Sequence, residues 1–321
     1  MRKGVIFMLI GMIITLLFFM IQGSEVKNND EIVQRQVFQQ ILMPFVPDKV
    51  TFCGKEIPLN KYNVRESFER ELITNCYLHG STLQTLKRAN RYFSVIEPIL
   101  RKNNIPEDMK YLAVAESGLR NVVSPAKAEG VWQFLKDTGK EYGLEVTNDV
   151  DERYHLEKAT QAACDYFKKS YENYKDWALV AAAYNAGNAR IKEFIEKQKT
   201  EDYYDMLMSQ ESMRYVYRIA ALKCILENPT SYGFYLGDDD IYPIIPVETV
   251  KVDTSITSLA DFAHQFDISY LILKEFNPWL RNTFLTNKAG KEYEIVIPKK
   301  GYTDYDKKLQ REKKSGWFIG Y

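Results

Sequence analysis

The segment Ala113-Val114-Ala115-Glu116-Ser117-Gly118 places a carboxylic acid where a helix should present apolar surface. Ile105, Met109, Leu112 and Glu116 follow one another at spacings of four, three and four, one face of a 3.6-residue period. A carboxyl group against an apolar wall has its charged form disfavoured and its pKa raised, which is what a general acid working near neutral pH requires. The plainer alternative is a helix-end glutamate that turns to solvent or pairs with Arg120, because structural ion pairs perturb acids too. Acid–base chemistry at Glu116 therefore needs support from other segments.

Three segments downstream are hard to explain as packing alone. In Ser124-Pro125-Ala126-Lys127-Ala128-Glu129-Gly130-Val131-Trp132-Gln133-Phe134 a turn delivers an aromatic and an amide to an expected helix start. Gln133 can hydrogen-bond a polar ligand, and Trp132 can stack on a sugar ring or fill the core. In Ala181-Ala182-Ala183-Tyr184-Asn185-Ala186-Gly187 small residues allow close backbone approach, and Tyr184 and Asn185 end a helix that Gly187 would cap. Glu211-Ser212-Met213-Arg214-Tyr215-Val216 reads as a helix bearing a tyrosine.

In this order and spacing, the four segments resemble the catalytic domain of the soluble-lytic-transglycosylase family, over roughly Ile96 to Leu226. The family's Glu-Ser motif falls on Glu116 and Ser117, and its Gly-Leu-Trp-Gln-like motif on Gly130-Val131-Trp132-Gln133. Its Ala-Tyr-Asn-Ala-Gly motif falls on Ala183 to Gly187, and its late tyrosine on Tyr215. The resemblance implies a goose-lysozyme-like helical fold with a sugar-binding groove. It also implies cleavage of the bond between N-acetylmuramic acid and N-acetylglucosamine in peptidoglycan strands, leaving a 1,6-anhydro end. Glu116 would be the catalytic acid and base. Ser117, Gln133, Tyr184, Asn185 and Trp132 would bind or support substrate, and Tyr215 would hydrogen-bond Glu116. No cofactor is implied.

The pattern departs from the family at Lys127 and Glu129, where small residues are usual. Glu129 facing the groove would be a second carboxylate and would make a hydrolysing muramidase the rival enzyme. Asp137, Asp149 and Asp151 carry a weaker form of the same ambiguity, the last two reading as turn or cap residues. A non-catalytic peptidoglycan-binding scaffold is the alternative outside enzymes, although a scaffold needs no acid in its groove.

The elements that must position these groups are mainly helical. From residue 59 to 230 the chain reads as helices broken by short turns: Arg65 to Leu78, Leu83 to Asn103, Glu107 to Leu119, Leu156 to Tyr174, Trp177 to Tyr184 and Asn188 to Lys197. Pro106, with Glu107 and Asp108 after it, marks a helix start. Residues 24–58 form a linker with a short amphipathic stretch ended by Pro44 and Pro47, and residues 231–246, with Asp238 to Asp240, a solvated linker. Residues 247–300 read strand, helix, helix, strand, a small α+β module resembling a degenerate LysM domain at Asp253-Thr254, Asn277-Pro278 and Ile297-Pro298. Val252 replaces the usual glycine and the stretch from Leu280 to Lys291 is long, so the module is expected to bind glycan or to pack on the catalytic domain. Residues 301–321 form a charged tail whose Trp317-Phe318 has no assigned role.

With 321 residues, 45% of them hydrophobic, the chain can bury one sizeable domain and a smaller one. Its 43 basic and 43 acidic residues cancel, so no basic excess invites nucleic acid. His79, His155 and His264 lack metal-ligand spacing, and no metal is expected. Arg2 and Lys3 precede an uncharged run over residues 4–22, read, within residues 1–23, as an export signal or an uncleaved inner-membrane anchor. The remainder would then face the periplasm. No cysteine follows the run directly, which argues against a lipoprotein. Cys53 and Cys76 are the expected disulfide, while Cys164 and Cys224 read as small buried hydrophobes.

Overall fold

The computed structural model describes residues 41–304. The N-terminal apolar run, most of the amphipathic stretch after it, and most of the charged tail lie outside the described residues. No helix among the described residues is long and apolar enough to cross a membrane.

A two-residue hairpin, β1 (Thr51–Phe52) and β2 (Lys55–Glu56), precedes the helical domain. Helices α1 (Tyr62–Tyr77) and α2 (His79–Lys102) bury Phe68, Leu72, Phe93 and Ile96. A single 3₁₀ turn, Glu107–Met109, leads into α3 (Lys110–Ser117). The expected helix from Glu107 to Leu119 is therefore shorter, because Gly118 and Leu119 are both left-handed, at φ 59° and 57°. Lys110 through Val114 are all buried, so α3 is a central helix rather than an amphipathic one.

Strands β3 (Val122–Val123) and β4 (Glu129–Gly130) pair antiparallel. The helix expected near Trp132 starts only at Lys136, as α4 (Lys136–Glu141). Beyond it come α5 (Leu156–Tyr174), α6 (Trp177–Ala186), α7 (Asn188–Gln198) and α8 (Gln210–Glu227). Asp176 caps α6 by accepting from Leu179 N, and Ser209 caps α8 by accepting from Ser212 N. One apolar core unites these helices.

The last module has the expected order: β5 (Val247–Val252), α9 (Leu259–His264), α10 (Tyr270–Phe276) and β6 (Tyr293–Pro298). The strands pair antiparallel from Val247↔Pro298 to Val252↔Tyr293. Asn277 is fully buried and pairs with the Val296 backbone, donating to its carbonyl at 2.7 Å and accepting its N–H at 2.8 Å. Val150 and Tyr154 of the helical domain complete this module's core beside Trp279 and Tyr293. Asp151 N donates to Trp279 O at 2.9 Å and Arg281 N to Asp149 O at 2.7 Å. Trp279 and the start of the long stretch after Leu280 thus dock the module on residues 149–155.

All four cysteines are free, which overturns the expected Cys53–Cys76 disulfide. Cys53 occupies the β1–β2 turn with its N–H on Asp108, whereas Cys76 lies in α1. Burial pushes the Cys76 and Cys224 thiols up to about 11.

Candidate active site

Glu116 lies in the last turn of α3, one residue before a hydroxyl that fixes the helix end. Ser117 is buried, its Oγ 2.8 Å from Val131 O and 3.0 Å from Ala113 O, sharing one proton between them. The serine expected to touch substrate is instead committed to backbone, fastening α3 to the loop that carries Trp132.

Helix α8 supplies the partners of the acid. The buried Tyr215 hydroxyl donates a short hydrogen bond to Glu116 Oε1. Arg218, one turn further along α8, adds a positive charge and is held by the fully buried Glu71 at 3.5 Å, which also takes Arg214 at 2.5 Å. Burial dominates and pushes the Glu116 carboxyl up to about 7, while the Tyr215 hydrogen bond and Arg218 pull the other way and the exposed Glu211 raises it. Its place at a helix C-terminus, the negative end of the dipole, acts in the same sense as burial.

The Gly130–Gln133 turn is tied to the end of α3 through Ser117 and Val131. Gly130 takes φ 82°, and a Cβ there would lie 1.9 Å from Arg153 O, so only glycine fits. Gln133, also left-handed, donates its amide to Gly130 O at 2.7 Å and Val122 O at 2.9 Å, leaving Oε1 without a protein partner among the described residues. Trp132 is fully buried, donating to Thr160 Oγ1 at 2.9 Å and packing edge-on to Phe167. It fills the core and is not a sugar platform.

Tyr184 donates to Trp132 O at 2.6 Å, and burial with the nearby Glu116 charge holds its phenol well above the ordinary range. Asn185 accepts from Ser212 Oγ at 3.0 Å through Oδ1, which leaves its NH₂ group to donate. Gly187 caps α6 as expected, its N–H on Ala183 O at 2.8 Å.

Glu129 does not act as an available second carboxylate. Arg153, itself buried, binds it at 3.1 Å and holds Asp151 at 2.6 Å, and its remaining N–H groups reach the carbonyls of Lys127 and Phe134. Glu116 is the sole acid among the residues lining the cavity of about 230 Å³ beside it. Asp137 is exposed. Asp149 accepts from Asn282 and Thr286, and these bonds hold its carboxyl below the usual range despite the opposing effect of burial.

Sequence reasoning passed over Arg218, Glu71 and Arg153. Arg218 could have been found, lying three residues beyond Tyr215 on one helix face. Glu71, separated by 143 residues from Arg214, gives no local signal. Among the described residues no cluster of His, Cys, Asp and Glu could hold a metal ion.

Comparison with known proteins assigns two domains to the chain. Residues 93–207 match the transglycosylase SLT domain, and residues 248–301 the soluble lytic transglycosylase C-terminal LysM-like domain. The chain is 32% identical over 270 residues to membrane-bound lytic murein transglycosylase D of Escherichia coli K12. That alignment covers 79% of this chain and 56% of the relative, and the protein of E. coli O6:H1 strain CFT073 matches with the same figures. The chain thus spans little more than half the length of these relatives. The lytic transglycosylase Slt of Pseudomonas aeruginosa, solved as an inactive mutant, shares 14% identity over 53% of this chain and 33% of that one at a TM-score of 0.35.

Proposed function

We infer that this chain, which carries a transglycosylase SLT domain followed by a LysM-like domain, is a lytic transglycosylase of peptidoglycan. It cleaves the β-1,4 bond between N-acetylmuramic acid and N-acetylglucosamine without water. The carrying observation is the solitary acid Glu116, raised to about 7 and hydrogen-bonded by Tyr215.

Near neutral pH a substantial share of Glu116 is protonated. It donates its proton to the glycosidic oxygen as the bond from that oxygen to the muramyl C1 breaks, and N-acetylglucosamine leaves as an alcohol. The positive charge left at C1 is met by the substrate's own acetamido oxygen, so no protein nucleophile is required. Glu116, now a carboxylate, takes the proton of the muramyl 6-hydroxyl while that oxygen closes onto C1. The acid is regenerated and the product is a 1,6-anhydro ring.

Tyr215 holds the acid, and the NH₂ of Asn185 and Oε1 of Gln133 bind substrate. Tyr184 and Ser117 act one step back, holding the backbone of Trp132 and Val131. A hydrolysing muramidase of the usual two-carboxylate kind would draw on Glu129, which Arg153 holds. The N-terminal apolar run fits an exported, envelope-located protein, periplasmic and anchored where the run is retained.

Mass spectrometry of peptidoglycan digested by the full chain, beside Glu116→Gln, tests the reading. Anhydro-muropeptides from wild type and none from the variant are expected. Reducing-end products would point to a hydrolase, and no product from wild type to a binding scaffold.

A further inference from the structure

The cavity beside Glu116 contains more cationic chemistry than the proposed reaction uses. Its walls include Asn75, Thr82 and Thr85 on one side, Arg120 after α3, and Arg218 from α8. Arg218 has its counter-charge in Glu71. Arg120 has none: its Nε reaches only Ser117 O, at 3.2 Å. Just behind the cavity the half-buried Arg88 donates to Gly118 O at 2.9 Å, with Gln84 Oε1 and Thr85 Oγ1 at 3.4 and 3.5 Å. Neither arginine forms a salt bridge among the described residues, although Arg88 is half-buried and most buried or half-buried cations described do.

The two guanidinium groups also converge. A Cβ built on Gly118 would lie 3.8 Å from Arg88 Nη2 and 4.0 Å from Arg120 Nε, so both charges approach one small volume two residues beyond Glu116. Burial first, and then repulsion from the Arg120 charge, lower the Arg88 pKa. Guanidinium forks match a carboxylate in geometry and bind it by charge-assisted hydrogen bonds.

The sugar rings of the strand are neutral, so the anion must be a substituent. The ring whose bond Glu116 protonates is muramic acid, and its acidic groups hang from the 3-O-lactyl arm. They are the lactyl carboxylate of a bare strand or the carboxylates of an attached peptide. We propose that Arg120 and Arg88 form a subsite for a carboxylate on the lactyl arm of the muramyl residue being cleaved. This rests on the transglycosylase reading of Glu116, and it makes the charge of the arm, not the glycan alone, a determinant of which bonds are cut.

Three strands of equal length separate the possibilities: peptide-bearing, amidase-stripped with free lactyl carboxylates, and stripped then amidated to neutrality. For the full-length wild type, KM on the neutral strand should be roughly tenfold higher than on the preferred acidic one. The better of the two acidic strands identifies the source of the carboxylate. Arg120→Gln, at an exposed position, should erase that preference by raising KM on the acidic strand while leaving the neutral strand as in wild type; Arg88→Gln should do the same if its melting temperature is preserved. Equal KM values for all three strands with wild type, or an equal loss on all three with Arg120→Gln, would overturn the subsite.

Calorimetric binding of the same strands to Glu116→Gln separates this from the reaction itself. Binding that favours the acidic strands, with the preference lost in the Glu116→Gln, Arg120→Gln double variant, supports the subsite even if wild type releases no anhydro product. Binding indifferent to the carboxylate overturns it whatever wild type produces.

Discussion

The Tyr215 hydroxyl hydrogen-bonds Glu116 across 99 residues of sequence, joining the last turn of α3 to the face of α8. Two opposed effects meet in that pair. Removal from water favours the neutral acid, and a donor at one oxygen favours the anion. Burial prevails and leaves the group at about 7, poised to give up a proton and take one back.

Glu116→Gln should abolish anhydro product while raising stability in alkali. The folded carboxyl titrates at about 7 against its ordinary 4.5. Its favourable contribution is therefore present in full below about 4.5 and lost as pH climbs through about 7. Above that point the variant should be the more stable by on the order of 1–3 kcal/mol. Urea melts from pH 4 to 9 check this, and parallel curves for the two proteins would count against a buried, proton-binding Glu116.

Tyr215→Phe should cut kcat by roughly 10- to 100-fold, the range for losing a group that orients a reacting one. Because the lost hydrogen bond had lowered the Glu116 pKa, the alkaline limb of the kcat/KM profile should move to higher pH. A fall in kcat with the limb unmoved would mean that Tyr215 merely packs.

Gly130→Ala should destabilise by about 3 kcal/mol or more, from a left-handed backbone combined with a Cβ lying 1.9 Å from Arg153 O. Thermal melting measures it. A wild-type melting temperature would show that β4 and Arg153 are not in contact.

The LysM-like module should not melt by itself. Trp279 stacks on His155 and Tyr293, and Val150 and Tyr154 share its core. Trp279→Ala should cost about 3–5 kcal/mol and lower one common calorimetric transition. Two separate transitions in wild type would refute the shared core.

Ellman titration of the denatured, unreduced protein should return four thiols, matching the free Cys53, Cys76, Cys164 and Cys224. A count of two would reinstate a disulfide.

Much of this was legible along the chain because helices announce themselves locally. Gly187 as a cap, the helix from Leu156 to Tyr174 and the strand–helix–helix–strand order of the last module all follow from short-range signals. What escaped was decided by distant neighbours. Trp132 looks the same in sequence whether it faces a sugar or Thr160, 28 residues away. Glu129 looks like an available acid until Arg153 is folded beside it. The small, polar Ser117 suggested substrate, and only the approach of Val131 shows where its proton goes.

The contact between Asp151 and Trp279 also has a meaning in time. Arg153 braces the turn before Gln133, yet the segment just ahead of it is completed by residues of the LysM-like module, since Asn282 reaches Asp149 across 133 positions. Closing so long a loop is a late step in folding. As the polypeptide emerges from its N-terminus, Glu116, Arg153 and Tyr215 are all made before Trp279, Arg281 and Asn282, the partners of Asp149 and Asp151. The order of synthesis therefore leaves Asp149 and Asp151 without these partners until residues 279–286 have been made.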